Sequence, residues 1–147
     1  MTPAQRQRSD TVLASVRPEL SHIAKYVEEY ADQSGIKIMW VQGLRTQEQQ
    51  AKLYAQGRTA PGPQVTQAPT AETTPHGRGA ALDFAILDLN GQPSWAPGLT
   101  SLYEQVGRLA EGLGLQWGGR FPHADRPHVE LRGWHQLPFP YDPQKQT

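Results

Sequence analysis

The chain contains no cysteine, which excludes disulfide bonds and thiolate metal sites, so any metal must be held by histidine, aspartate or glutamate. Its 14 basic and 14 acidic residues leave no net formal charge, and this balance does not favour nucleic acid or an anionic membrane surface as a partner. No apolar run is long enough to span a bilayer. The N-terminal residues MTPAQRQR lack the apolar segment of a signal peptide. We therefore expect no nucleic-acid partner, no membrane insertion and synthesis in the cytoplasm.

The length of 147 residues suits one domain with a real core, and no internal repeat is visible. We predict a monomer with a single folded domain over residues 1–137 and a surface tail over 138–147. Residues 58–75 are rich in Pro, Thr, Gly and Ala and form a long loop; such loops in compact domains are usually functional or disordered. Because this loop leads into His76, we expect it to be a mobile wall of a functional cleft.

Hydrophobic periodicity predicts the regular elements. A helical face at 12–27, with Ser9 as N-cap and a division at Pro18, is followed by a helix over 47–54 capped by Thr46 and a helix over 99–113. Strands are predicted at 36–42, 80–87, 115–117 and 127–131. Asn90-Gly91 is typical of a tight hairpin.

Two short segments carry side chains suited to metal chemistry. Residues 74–83 contain His76 and Asp83, seven positions apart with glycines between them, and residues 125–130 contain His128. Asp83 lies in a largely apolar strand, where a carboxylate is costly unless it is paired or coordinates a metal. Imidazole and carboxylate both suit zinc, and three protein ligands plus water is the pattern of a catalytic site. We expect these segments to meet and hold one zinc ion; the alternative is a glycine turn into a strand with a surface histidine.

The first segment resembles the Ser-x-His-x-x-Gly-x-Ala-x-Asp signature of a zinc peptidase family. This family comprises D-alanyl-D-alanine carboxypeptidases and dipeptidases and the L-alanyl-D-glutamate endopeptidases of bacteria and phages. Two further elements are similar to its endopeptidase branch: an Arg-Thr-x-x-x-Gln segment and a Trp-Gly-Gly element followed by Asp-x-Pro-His. The matching residues are Thr74 (in place of Ser), His76, Gly79, Ala81 and Asp83; Arg45, Thr46 and Gln50; Trp117, Gly118 and Gly119; and Asp125, Pro127 and His128.

The resemblance implies a fold and a metal site. The fold is a small single α+β domain with a central, mainly antiparallel sheet, helices packed on one side and a zinc cleft. The implied metal ligands are His76, Asp83 and His128. His123 is a rival third ligand, although it matches no ligand position of the family.

The resemblance also implies roles around the metal. Asp125 would be the general base that takes a proton from the attacking water and returns it to the leaving amine. Glu130 is the rival for this role, and we rank it as a partner of a metal ligand because it faces the same side as His128. Arg45 would bind a substrate carboxylate or stabilise the oxyanion, and its alternative is a solvated surface arginine. The other predicted substrate-binding residues are Gln50, Thr74 and Trp117.

The implied function is hydrolysis of the L-alanyl-D-glutamate bond in peptidoglycan stem peptides. An enzyme of this kind without a signal peptide fits a phage endolysin that reaches the cell wall after a separate membrane-permeabilising protein releases it. One alternative is a D-alanyl-D-alanine carboxypeptidase of the same family. The other is a non-catalytic zinc-containing binding module, as in the hedgehog signalling domain.

Overall fold

The computed structural model describes residues 1–145, within which four α-helices and five β-strands form one domain. The helices are α1 (Pro3–Ser15), α2 (Pro18–Gln33), α3 (Gln47–Ala55) and α4 (Thr100–Gly112). The strands are β1 (Ile38–Gln42), β2 (Ala81–Leu87), β3 (Pro93–Ser94), β4 (Gln116–Trp117) and β5 (His128–Glu130). Among the helices of residues 1–145, none is long and apolar enough to cross a membrane.

The sheet is antiparallel throughout, in the order β1-β2-β5-β4, with β3 as the hairpin partner of β2. Helices α2 and α4 pack against each other and share one apolar core with the sheet. The expected α+β architecture is therefore confirmed. The predicted strands and the helices α3 and α4 agree with the structure to within two residues at each end.

The two central strands have faces of different chemistry. Leu82, Phe84 and Val129 are fully buried in the core shared with the helices. Side chains alternate across a strand, so Asp83 in β2 and His128 in β5 project from the opposite face. These two residues are also paired across the β2–β5 ladder. The alternation thus assigns one face of the sheet to the core and leaves polar ligands on the other.

The N-terminal helix begins earlier than predicted. Thr2, not Ser9, is its N-cap, and Thr2 and Gln5 form a reciprocal capping box. Ser9 is fully buried within α1, where its Oγ accepts a hydrogen bond from the backbone N–H of Trp40 at 2.9 Å. Hydrophobic periodicity does not mark the start of α1, because this helix is weakly amphipathic and its apolar face begins only near its C-terminal end. The predicted division at Pro18 is confirmed, since this residue starts α2.

The segment predicted as a surface tail, 138–147, is partly packed onto the domain. Tyr141 is only 8% exposed, and its hydroxyl donates to the carbonyl of Val16 at 3.2 Å. The guanidinium of Arg17 lies over its ring, 4.6 Å from the centroid. This aromatic anchor was not anticipated. The domain boundary at residue 137 stays a prediction, and the last two residues of the tail lie outside the described residues.

The anchor gives a prediction about Gly79, which has φ +65° and whose missing Cβ would lie 2.4 Å from the Tyr141 ring. Gly91 has φ +73° but nothing within 4 Å of the corresponding position. Alanine at either site incurs about 1–2 kcal/mol of left-handed backbone strain. Gly79→Ala must also displace the ring, which adds about 1–3 kcal/mol of overpacking. Urea denaturation should therefore show a larger loss of unfolding free energy for Gly79→Ala; equal losses would mean that the Tyr141 ring is not a fixed part of the fold.

Candidate active site

The loop before β2 places His76 at the edge of the open sheet face. The Thr74 hydroxyl donates to the Ala71 carbonyl at 3.0 Å and accepts from the Gly77 N–H at 2.8 Å, which closes the turn around His76. The backbone N–H of Arg45 donates to the His76 carbonyl at 3.1 Å. Thr74 lines the cleft, and its predicted contact with substrate stays a prediction; these two bonds show that its hydroxyl is already engaged in shaping the loop.

Asp83 lies between two imidazole rings. Its Oδ1 is 3.4 Å from Nε2 of His76 and 3.1 Å from Nδ1 of His128, and the two ring centroids are 5.1 Å apart. Both histidine side chains are 6% exposed and the Asp83 side chain is 26% exposed. The two separate segments of the sequence therefore meet, as expected, in a shielded cluster that opens to solvent through the carboxylate.

Each histidine is oriented by a partner on its far side. Nδ1 of His76 donates to the carbonyl of Gly43 at 2.8 Å, so Nε2 is the nitrogen that faces Asp83. Nε2 of His128 lies 2.7 Å from Oε1 of Glu130, so Nδ1 is the nitrogen that faces the cluster. Hydrogen bonds of this kind fix the tautomer and ring orientation of metal-binding histidines. Glu130 therefore contacts His128 on the side away from the cluster, and its role as a partner of a metal ligand stays a prediction.

The cluster is strongly coupled electrostatically. Burial on its own raises the pKa of Asp83, but hydrogen bonds from His128 and His76 hold it well below its usual range. Burial on its own lowers the pKa of His128, but its hydrogen bonds to Asp83 and Glu130 raise it to about 9. Without a metal, a proton on His128 balances these carboxylates. A cation bound to the three side chains would displace that proton, since metal ligands must be deprotonated.

The donor set fits a metal ion. His76, Asp83 and His128 each offer one ligand atom, and all three atoms lie within 4.8 Å of one another. Two ligand atoms at about 2.0–2.1 Å from a tetrahedral zinc lie about 3.3 Å apart, close to the 3.4 and 3.1 Å measured around Asp83. Two nitrogens and one oxygen, with both imidazoles correctly oriented, can hold a metal while leaving a position open for water or substrate.

Asp125 stands beside the cluster on the loop between β4 and β5. Its N–H donates to the carbonyl of Gly118 at 2.9 Å, and its own carbonyl accepts from the N–H of His128 at 3.2 Å. Its Oδ2 lies 3.9 Å from Nδ1 of His128, and the side chain is 54% exposed. Burial raises the pKa of Asp125, which makes the carboxylate a better proton acceptor. Asp125 is thus held next to the cluster and accessible from the cleft.

Arg45 lies on the same cleft, after the end of β1. Burial lowers the pKa of its guanidinium, while Asp83 and Asp125 oppose this effect electrostatically. Nη1 donates to Oε1 of Gln50 at 3.1 Å, whereas Nε has no hydrogen-bond partner among the described residues. A guanidinium that lines a cleft can bind an anionic or developing anionic group there. The alternative of a solvated surface arginine is not what the structure shows.

Two predicted substrate-binding residues lie behind the cleft instead of on its surface. Gln50 is fully buried, and its amide donates to the carbonyl of Ala68 at 2.8 Å while its oxygen accepts from Arg45. Trp117 is 4% exposed within the core, and its indole N–H donates to the carbonyl of Arg126 at 2.9 Å. Local sequence could not distinguish direct contact from support, because both residues adjoin elements that do reach the cleft.

The cleft has a volume of about 520 Å³ and includes side chains that the sequence analysis missed. Phe121 packs near His128 with ring centroids 5.7 Å apart, and Trp134 lines the cleft although it follows the last strand. Neither is marked by any motif. The predicted loop wall supplies Val65 and Thr66. The full lining is Arg45, Leu53, Val65, Thr66, Thr74, Pro75, His76, Asp83, Phe121, Asp125, His128, Glu130 and Trp134.

Comparison with known proteins places this arrangement in a family. A family model described as D-alanyl-D-alanine carboxypeptidase matches residues 67–131. Over 128 residues the chain is 32% identical to the peptidoglycan L-alanyl-D-glutamate endopeptidase CwlK of Bacillus subtilis (strain 168), covering 82% of this chain and 75% of that protein.

Solved structures share the fold. The L-Ala D-Glu endopeptidase ChiX of Serratia marcescens has a TM-score of 0.67 at 22% identity, with 84% of this chain and 86% of that chain covered. The LdcB LD-carboxypeptidase has a TM-score of 0.63 at 19% identity, with coverage of 79% and 58%. At these identities the two structures establish a common fold and nothing further.

The cluster predicts one equivalent of bound zinc that depends on both histidines. His76→Ala and His128→Ala should each abolish stoichiometric binding, because only two of the three ligand atoms remain. His123→Ala, at an exposed position away from the cluster, is the matched control and should keep its zinc. Elemental analysis of the purified variants, with circular dichroism to verify folding, makes the comparison; full zinc in either cluster variant would refute the ligand assignment.

Proposed function

Because the chain belongs to the family of peptidases that contains D-alanyl-D-alanine carboxypeptidases and L-alanyl-D-glutamate endopeptidases, we propose that it hydrolyses the L-alanyl-D-glutamate bond of peptidoglycan stem peptides. The observation that carries this proposal is the 32% identity to CwlK across most of both chains. The single cleft that holds His76, Asp83, His128 and Asp125 supports it, since it contains the groups that such a hydrolysis requires.

The proposed metal is zinc, held by Nε2 of His76, Oδ1 of Asp83 and Nδ1 of His128. Bound zinc would supply a Lewis acid that polarises the scissile carbonyl and makes water more acidic. The Gly43 carbonyl keeps the proton of His76 away from the metal position, and Glu130 does the same for His128. Glu130 is 5% exposed and accepts from His128, so its carboxylate is engaged in support and is poorly placed to exchange protons with substrate.

Asp125 is the proposed general base. Its carboxylate is reached from the cleft, lies beside a proposed ligand and has a raised pKa, and these are the properties of a group that accepts and then returns a proton. It would take a proton from the attacking water and deliver it to the amine of the departing D-glutamate. The hydrogen bonds made by the backbone N–H and carbonyl of Asp125 hold this residue in place during both proton transfers.

Arg45 is the proposed anion-binding group. In a γ-linked D-glutamate the α-carboxylate remains free, so the substrate carries a negative charge next to the scissile bond. The guanidinium of Arg45 lines the cleft, while Gln50 fixes its Nη1 end. Burial strengthens a charge-assisted contact with this carboxylate because the surroundings screen it less than water does.

A second candidate is a carboxypeptidase that removes a terminal D-alanine. It is favoured by the description of the family model that matches residues 67–131, D-alanyl-D-alanine carboxypeptidase. Arg45 would then bind the terminal carboxylate. A pure binding module is disfavoured, since binding does not require a positioned base such as Asp125.

The phage endolysin role stays a prediction. The similar proteins described above are named for peptidase activity, and no contact in the structure reports a lytic role. Production of the chain in a bacterium together with a membrane-permeabilising protein tests it: rapid lysis should require both proteins and an intact Asp125.

Digestion of purified peptidoglycan decides between the two activities. We expect new fragments with a free D-glutamate amino group, because the scissile bond is the L-alanyl-D-glutamate bond, and we expect chelation of zinc to stop their release. Mass spectrometry of the soluble products identifies the bond. Free D-alanine with intact L-alanyl-D-glutamate bonds would establish the carboxypeptidase instead, and no new fragments from zinc-loaded protein would favour the binding module.

Asp125→Asn tests the base separately from the metal site. The amide is nearly isosteric, so fold and zinc should be retained, while turnover should fall by about 10²–10⁴, as expected for loss of a positioned acid–base group. Glu130→Gln is the matched carboxylate control and should cost about 10–100-fold, typical of a residue that supports a metal ligand. Near-normal turnover of Asp125→Asn with zinc-loaded but inactive Glu130→Gln would reverse the two roles.

A further inference from the structure

The surface beyond Asp125 carries a second, smaller pocket. It has a volume of about 220 Å³ and is lined by Trp95, Ala96, Thr100, Tyr103, Ala124, Asp125, Arg126 and Pro127. Asp125 lines both this pocket and the catalytic cleft, so the two cavities meet at the proposed base. Arg45 lines the cleft but not this pocket. A substrate bound to Arg45 and passing Asp125 would therefore continue into this second pocket.

Trp95 is the prominent side chain of this pocket, since 56% of its surface is exposed. Single exposed apolar residues are common and need no explanation by themselves. This one differs because it stands next to the catalytic cleft and offers a flat apolar face beside polar groups. Arg126 and the Asp125 carboxylate contribute one charge of each sign. A neutral ligand with an apolar face and polar edges suits such a surface better than a phosphate or a cation.

The backbone that presents Trp95 is firmly held. Tyr103 donates from its hydroxyl to the carbonyl of Ser94 at 2.6 Å and accepts from the N–H of Ile86 at 3.0 Å. Ser94 is itself paired with Ile86 in the β2–β3 hairpin. The Tyr103 ring stacks on Phe84 in the core, with centroids 5.4 Å apart. Trp95 follows directly on this fixed residue, so its position relative to Asp125 is set by the fold and not by a free loop.

Resting on the proposed function, we propose that Trp95 and its pocket bind an N-acetylated sugar of the glycan strand and make the enzyme prefer glycan-linked stem peptides. In peptidoglycan the L-alanine amine is joined through a lactyl group to the sugar, so one residue and one lactyl group separate the scissile bond from the glycan. An extended residue spans about 3.3–3.6 Å and the lactyl group is of similar length, so the sugar must lie within about 7 Å of the reacting centre. A pocket that shares Asp125 with the cleft meets this requirement.

The size of the pocket fits one ring. Its volume is below the roughly 300–1,000 Å³ of complete ligand sites, so it suits one unit of a larger substrate. The C–H face of a pyranose packs against an indole ring, while Arg126 and Thr100 lie at its polar edge. The remainder of the stem peptide, on the D-glutamate side, would stay in the cleft with Arg45.

The kinetic test compares two substrates that differ only in the sugar: a stem peptide carrying its disaccharide and the same peptide without it. Wild-type kcat/KM should be higher for the glycan-linked peptide, mainly through KM. Trp95→Ala should lower this preference by about tenfold, the change that follows loss of one good aromatic contact. Leu89→Ala, which removes another exposed apolar side chain but one that does not line the pocket, is the control and should keep the preference. A preference equal in wild type and Trp95→Ala would overturn the proposal.

A binding measurement keeps the test independent of the cleaved bond. Titration of the peptide-free disaccharide into the folded, zinc-loaded protein should shift the indole N–H resonance of Trp95, identified by its loss in Trp95→Ala. This shift is expected even if peptidoglycan digestion shows carboxypeptidase products. No shift of Trp95 at millimolar disaccharide would refute the sugar pocket whatever bond the enzyme cleaves, whereas a shift without hydrolysis would leave the pocket intact and refute the proposed function.

Discussion

The contact on which the site depends is that of one carboxylate, Asp83, with two imidazoles. A carboxylate on a mostly buried strand is destabilising unless charge and hydrogen bonding compensate it. His76 and His128 provide this compensation at 3.4 and 3.1 Å. The same geometry that stabilises Asp83 also collects three ligand atoms around one point. The contacts that stabilise the carboxylate of Asp83 in its strand are therefore the same contacts that form a cluster able to hold a metal ion.

The backbone around Asp83 brings the two histidines to it. His128 lies opposite Asp83 because the β2–β5 register pairs the two residues. His76 reaches the same point only because a turn closed by Thr74 precedes the strand, and because the Gly43 carbonyl holds the far nitrogen of the ring. A carbonyl from one strand end and a carboxylate from another thus set which nitrogen of each histidine faces the centre.

The buried residues behind the cleft form a second level of organisation. Gln50 connects Arg45 to the loop wall through its amide, so the guanidinium and the loop are positioned together. Trp117 acts in a comparable way on the other side, because its indole bonds the backbone of Arg126, next to Asp125. Both residues belong to recognisable sequence elements, yet they act on the cleft only through a neighbour. Each residue positions a charged group of the cleft, so a substitution of Gln50 should displace Arg45 and a substitution of Trp117 should displace Asp125.

The sequence by itself determined most of the regular elements and the three residues that meet in the His-Asp-His cluster. Hydrophobic periodicity and turn residues are local features of the chain, so most helices, the strands and the hairpin at Asn90-Gly91 could be predicted. The family signature predicted that His76, Asp83 and His128 meet. Only the tertiary structure decided which residues support and which line the cleft. Gln50 and Trp117 are buried by packing from distant segments, and Trp95 lies beside Asp125 because Tyr103 ties its strand to the core. Burial and adjacency are properties of long-range packing, and no local pattern encodes them.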